Sequence, residues 1–147
     1  MKEVEFHFNV PDKLVYSCRL LRKVYRSGVN AVVAADTEVL DELDLLLWRF
    51  SATEFVPHCM GGANFSCLAA TPLILTDNPE TCRSNAVLIN LGQKAPAEFS
   101  RYDRFIDVVS AKDDDRLQGR IRWKQYKDSG FALKVHDASE TEKLDKA

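Results

Sequence analysis

Residues 31–35, Ala31-Val32-Val33-Ala34-Ala35, form an unbroken apolar run. A strand that is apolar on successive residues keeps no face for water, which is the condition of a strand inside a parallel sheet covered by helices on both sides. Residues 86–91, Ala86-Val87-Leu88-Ile89-Asn90-Leu91, read the same way. Upstream, Val4 to Val10 alternates apolar and polar residues as a half-buried strand does. Pro11 and Asp12 then open a helix in which Leu14, Cys18, Leu21 and Tyr25 recur at helical spacing, and Gly28 closes it. Downstream, Asp36 or Thr37 caps a second helix, with Val39, Leu40, Leu43, Leu46, Leu47 and Phe50 on its buried side and Glu38, Asp41, Glu42 and Asp44 outside.

An irregular stretch follows, from Trp48 through Phe55-Val56-Pro57-His58 and CMGGANFSCLAA, before Pro72 to Asp77 reads as a strand. Pro96 to Phe99 suggests a short helix, and Phe105 to Val109 and Phe131 to Val135 two further strands. Strands alternate with helical segments throughout. The fold class is therefore α/β: a three-layer domain with a mostly parallel sheet over 1–138, followed by a polar tail, 139–147, expected to be frayed.

Between the last two strands lies KDDDRLQGRIRWKQYKDSGF, residues 112–131. Asp113, Asp114 and Asp115 load the first helical turn with the charge its dipole favours, and Lys124 and Lys127 lie near the other end. Gly130 is placed to take the left-handed conformation just past the last turn. Arg116, Arg120, Trp123 and Lys127 fall on one stripe with Lys124 at its margin, while Leu117 and Ile121 on the adjoining stripe are expected to face the core. Such a helix suits an acidic peptide with an apolar end. On these residues alone the plainer reading comes first: a solvated face whose long basic stems cover apolar surface.

With 147 residues, 46% of them hydrophobic, the chain can bury a proper core. Its formal charge of -2 argues against a protein whose main task is gripping phosphate backbones. No apolar run spans a bilayer, and MKEVEFHF lacks a cationic start followed by an apolar block, so a cytoplasmic chain without a membrane or secretory segment is expected. Cys18, Cys59, Cys67 and Cys82 are then expected to be reduced thiols; with His58 they match no familiar zinc spacing. The phosphate-binding devices of α/β folds are missing from the sequence: there is no G-x-G-x-x-G after the first strand and no G-x-x-x-x-G-K-[ST]. Gly61-Gly62 is a bare pair that permits a turn, there is no G-x-S-x-G elbow, and neither His7 nor His136 has a neighbouring partner that makes it a base. The fold is Rossmann-like without a phosphate loop.

Leu47-Trp48 followed by Phe55-Val56-Pro57-His58, and later Arg120, Trp123-Lys124, Tyr126 and Gly130-Phe131, resemble the chi subunit of bacterial DNA polymerase III holoenzyme. The resemblance covers nearly the whole chain. It implies a non-catalytic replication subunit with no cofactor and no metal. It also implies two partners: the psi subunit of the clamp loader, and the acidic C-terminal tail of single-stranded DNA-binding protein, so that DNA is reached only indirectly. The tail, which ends in a phenylalanine carboxylate preceded by aspartates, would dock on Arg120, Trp123 and Lys124, with Val109, Arg116, Lys127 and Gly130 nearby. Psi would meet Trp48 and Phe55, Val56, Pro57 and His58. The plainer alternative is that Trp48 and Val56 are core residues, and Trp123 stands where some relatives have tyrosine. Two other readings remain beside this one: an enzyme of nucleotide-binding type, and a direct binder of single-stranded nucleic acid through the basic helix.

Overall fold

A computed structural model describes residues 3–49, 58–60, 73–77, 86–96 and 99–138. The elements run β1 (Glu3–Val10), α1 (Lys13–Arg26), β2 (Ala31–Ala34), α2 (Thr37–Arg49), β3 (His58–Met60), β4 (Leu73–Thr76), β5 (Val87–Asn90), β6 (Arg104–Ser110), α3 (Asp113–Asp128) and β7 (Ala132–Asp137). The strands form a seven-stranded sheet in the order β3-β4-β2-β5-β6-β1-β7. All six pairings are parallel.

The apolar runs explain this arrangement. All four residues of β2, β4 and β5 are buried, and alternate residues go to opposite faces. Val33, Leu75 and Ile89 join Leu21, Leu43 and Leu47 under α1 and α2. Val32, Ala34 and Leu88 join Phe105, Val109 and Tyr126 under α3. The result is three layers, as expected. Asp12 starts α1 by accepting the Leu14 and Val15 amides at 3.1 and 3.2 Å, a cap worth about 1 kcal/mol. Asn9 adopts a left-handed φ of 57° where the β1–β6 register shifts, and beyond it Val10 packs with the α1–α2 cluster instead of continuing toward α3.

The structure differs from the sequence reading at several points. His58 and Cys59 belong to a strand, β3, which pairs with β4 at the sheet edge rather than lying in a loop. Phe99–Arg101 forms a 3-10 segment before β6, while Ala97 and Glu98 of the expected short helix lie outside the described residues. Trp48 is 60% exposed, so it is not a core residue. Tyr25 is 38% exposed and Val24 takes the inward position on α1. Phe50, Val56, Cys67, Cys82, Gly61-Gly62 and the tail 139–147 lie outside the described residues.

The largest correction concerns α3. Leu117 and Ile121 are 57% and 47% exposed; the buried residues are Gly119, Arg122 and Tyr126. The cause is Asp107, fully buried in the middle of β6 on the side that faces α3. Arg122 answers it with two hydrogen bonds, Nε to Oδ2 at 2.8 Å and Nη2 to Oδ1 at 3.1 Å. The Tyr126 hydroxyl donates to the same carboxylate at 2.6 Å, and Arg122 Nη1 donates to the Gln93 carbonyl at 2.7 Å. A buried carboxylate without a partner is far costlier than an exposed leucine, so the arginine wins the inward face. Arg122→Met should cost about 3–5 kcal/mol in urea denaturation by stranding Asp107, and Arg122→Met with Asp107→Leu should recover most of that loss.

Candidate functional site

α3 and the β1–β7 side of the sheet enclose a groove of about 370 Å³. Phe6 and Phe8 from β1 and Val109 from β6 line its base, Trp123 and Gly119 its helical wall, and Arg116 and Arg120 its rim. The Trp123 indole meets Phe6 edge-on, with ring centroids 5.1 Å apart at 75°. An apolar cavity of about 150 Å³ accepts a benzene ring; this groove has room for a ring and the backbone carboxylate attached to it. Arg116 and Arg120 are exposed, as are Lys124 and Lys127, which continue the basic surface along the helix outside the groove lining. Gly130 does not line it. Its φ of +90° gives it the expected role in ending α3.

Four of the expected residues, Val109, Arg116, Arg120 and Trp123, are thus brought to one concavity. Phe6, Phe8 and Gly119 were missed. The alternation of β1 placed both phenylalanines on one face, but no sequence signal says which helix covers that face. Gly119 was legible only as an unfavourable residue inside a helix, about 1 kcal/mol worse than alanine. Here a Cβ on Gly119 would lie 2.8 Å from both methyls of Val109. The glycine lets α3 sit low on β6 and sets the depth of the groove. Gly119→Ala should therefore destabilise the fold by about 1–2 kcal/mol despite its better helix propensity. In a double-mutant cycle with Val109→Ala, a coupling energy of about 1 kcal/mol or more is the expected result.

The other expected surface lies on α2. Trp48 and Leu45, 60% and 56% exposed, stand one turn apart on its outer side. His58, at the start of β3, meets the Trp48 ring at 5.6 Å and pairs with Asp44 Oδ1 at 2.7 Å through Nε2. Phe55, Val56 and Pro57 lie outside the described residues.

At the C-terminal ends of β2, β4 and β5, where open α/β sheets hold their ligands, there is a hollow of about 420 Å³. Asp36 and Asp77 line it, together with Asn90, Gly92 and Lys94. Two carboxylates in this position oppose a nucleotide phosphate. Among the described residues no group of His, Cys, Asp and Glu side chains is arranged to hold a metal ion, and no helix is long and apolar enough to cross a membrane.

His7, buried in β1, is hydrogen-bonded through Nδ1 to the Tyr16 hydroxyl. Burial, and next the charge of His136, lower its pKa from 6.5 to about 4. Between those values the unfolded chain binds a proton that the folded chain refuses. The associated stability is complete above pH 6.5 and is lost as pH falls toward 4, by about 3 kcal/mol in all. In His7→Gln, which keeps a hydrogen-bonding group for Tyr16, the urea midpoint should fall less between pH 7 and 4.5 than in the parent.

The family model for the DNA polymerase III chi subunit, HolC, matches residues 1–134. DNA polymerase III subunit chi of Pseudomonas aeruginosa is 30% identical over 125 residues, covering 84% of this chain and 85% of that protein. The Haemophilus influenzae subunit is 28% identical over 123 residues, covering 82% and 84% respectively. The Escherichia coli subunit is 26% identical over 117 residues, or 79% of each chain. The resemblance read from Trp48, Arg120, Trp123 and Gly130-Phe131 is therefore a family relationship: this chain belongs to the DNA polymerase III chi subunits.

Proposed function

We propose that this replication subunit is a non-catalytic bridge between the psi subunit of the clamp loader and the acidic C-terminal tail of single-stranded DNA-binding protein. The observation that carries the reading is the groove of α3, in which a floor of Phe6 and Phe8, with the Trp123 indole against Phe6, is rimmed by Arg116 and Arg120. A peptide ending in phenylalanine brings a ring for that floor and a carboxylate for that rim. Each charge-assisted hydrogen bond to a guanidinium contributes about 1.5–3 kcal/mol. Lys124 and Lys127, exposed further along the helix, would attract the preceding aspartates over a screened range.

The placement of the two surfaces supports bridging. Trp48 and Leu45 lie on α2, over one face of the sheet near the β3 edge, whereas the groove lies over the other face near the β7 edge. Six strand spacings separate those edges, roughly 30 Å. Two partners can dock there without touching each other.

A fluorescent acidic peptide ending in Pro-Phe with a free carboxylate tests the reading. We expect saturable binding that weakens with salt. It should lose about tenfold or more with Arg120→Ala, lose a similar factor when the peptide ends in an amide, and remain unchanged with Trp48→Ala. Absence of binding, or binding indifferent to Arg120→Ala and to the amide, would return α3 to a solvated face.

A further inference from the structure

A second basic concavity lies on the opposite face of the β7 edge, between α1 and strands β1, β6 and β7, with a volume of about 600 Å³. We propose that it is a binding site for the phosphodiester backbone of single-stranded nucleic acid, separate from the α3 groove and independent of the tail reading.

Among the described residues, five Arg and Lys side chains line it, Arg19, Arg22, Lys23, Arg104 and Lys134, against one carboxylate, Glu5. Two features of the fold bring them together. Positions 19, 22 and 23 of α1 fall at i, i+3 and i+4 and so share a face, with neighbouring Cβ atoms roughly 5–6 Å apart. The parallel register of β1 and β7 sets Lys134 beside Glu5 and His136 beside His7. Glu5 is already held by both Arg104 Nε and Nη2, the latter at 2.8 Å. Its charge is answered there, and no other carboxylate among the described residues lines the cavity to answer Lys23 and Lys134. Both lysines are exposed and reach an incoming anion without rearrangement of the core. In a chain of net charge -2, this concentration of positive charge in a walled space is a local feature that composition alone conceals.

The choice of a nucleic-acid strand over another anion rests on shape and on the histidines. The His136 ring lies 4.8 Å from that of His7, tilted by 33°, and is exposed on its outer side. It presents a flat face of the kind on which an unpaired base stacks. A row of cations one helical turn apart beside a stacking platform is the arrangement with which sequence-tolerant proteins follow a single strand. The family resemblance implies that DNA is reached only indirectly; this cavity would supply a direct, salt-sensitive contact of modest strength.

The test uses the full chain and a fluorescein-labelled dT15 oligonucleotide, with anisotropy read from 20 to 200 mM salt. About three phosphate contacts would give a slope of log K against log salt near -2. The double variant Lys23→Glu/Lys134→Glu, confined to exposed side chains, should weaken binding at 20 mM salt at least tenfold, while Arg120→Ala changes it less than twofold. Unlabelled dT15 should displace the probe far better than thymidine triphosphate at equal phosphate concentration. No saturable binding at 20 mM salt would overturn the proposal. So would binding that survives the double reversal, or binding lost with Arg120→Ala instead. Equal displacement by the free nucleotide would assign the cavity to a mononucleotide and overturn the strand reading.

Discussion

The position of α3 depends on one buried carboxylate. Asp107 interrupts the apolar sequence of β6 and must be answered from the helix that covers it. Arg122 can do so in only one rotational phase of that helix. Once that phase is set, Gly119 falls on Val109, Trp123 falls beside Phe6, and Arg116 and Arg120 reach the rim of the groove. Leu117 and Ile121 are turned to solvent as a consequence. A buried ion pair adds little net stability over an apolar pair of the same shape. Its effect here is geometric, because an apolar pair would tolerate rotations that a paired guanidinium does not.

The second constraint is topological. A parallel sheet needs crossover connections, and these carry α1 and α2 to one face and α3 to the other. The strand order leaves β3 and β7 as the two edges. The exposed Trp48 ridge and the α3 groove therefore differ in both edge and face.

Most of the architecture was legible because parallel strands write their burial directly into sequence. Residues 31–35 and 86–91 read as covered strands and contain β2 and β5, and Asp12, Gly28 and Gly130 marked helix ends by mechanisms that act locally. β3 was not legible: three residues following a proline carry too little pattern to separate a strand from a loop. The candidate site was legible in its charges and not in its floor. Periodicity gathered Arg116, Arg120 and Trp123 onto one stripe, but it also assigned Leu117 and Ile121 to the core by hydrophobicity alone. The lone Asp107 within an apolar strand was the available signal that a basic residue on α3 had to turn inward; the sequence reading gave it no weight. Phe6 and Phe8 could not be assigned to the groove, since that requires knowing that β1 lies between β6 and β7.

The distribution of charge gives these observations a common sense. The outer side of α2 carries exposed Glu38, Asp41 and Glu42, and the hollow at the C-terminal ends of the strands is lined by Asp36 and Asp77. A cluster of cations lies at the other edge, where Val135 of β7 lines both the α3 groove and the α1 cavity. One strand thus separates two basic concavities. Net charge reports the balance of the two edges and conceals their opposition, so an acidic pI near 5.9 is compatible with a strongly cationic margin. Fields from the two concavities add at the exposed edge within about one Debye length, roughly 8–10 Å at physiological salt. Charge is thus segregated across the sheet, and within the β7 margin the two concavities differ in shape: the Phe6–Trp123 pair lines one and the His7–His136 pair the other.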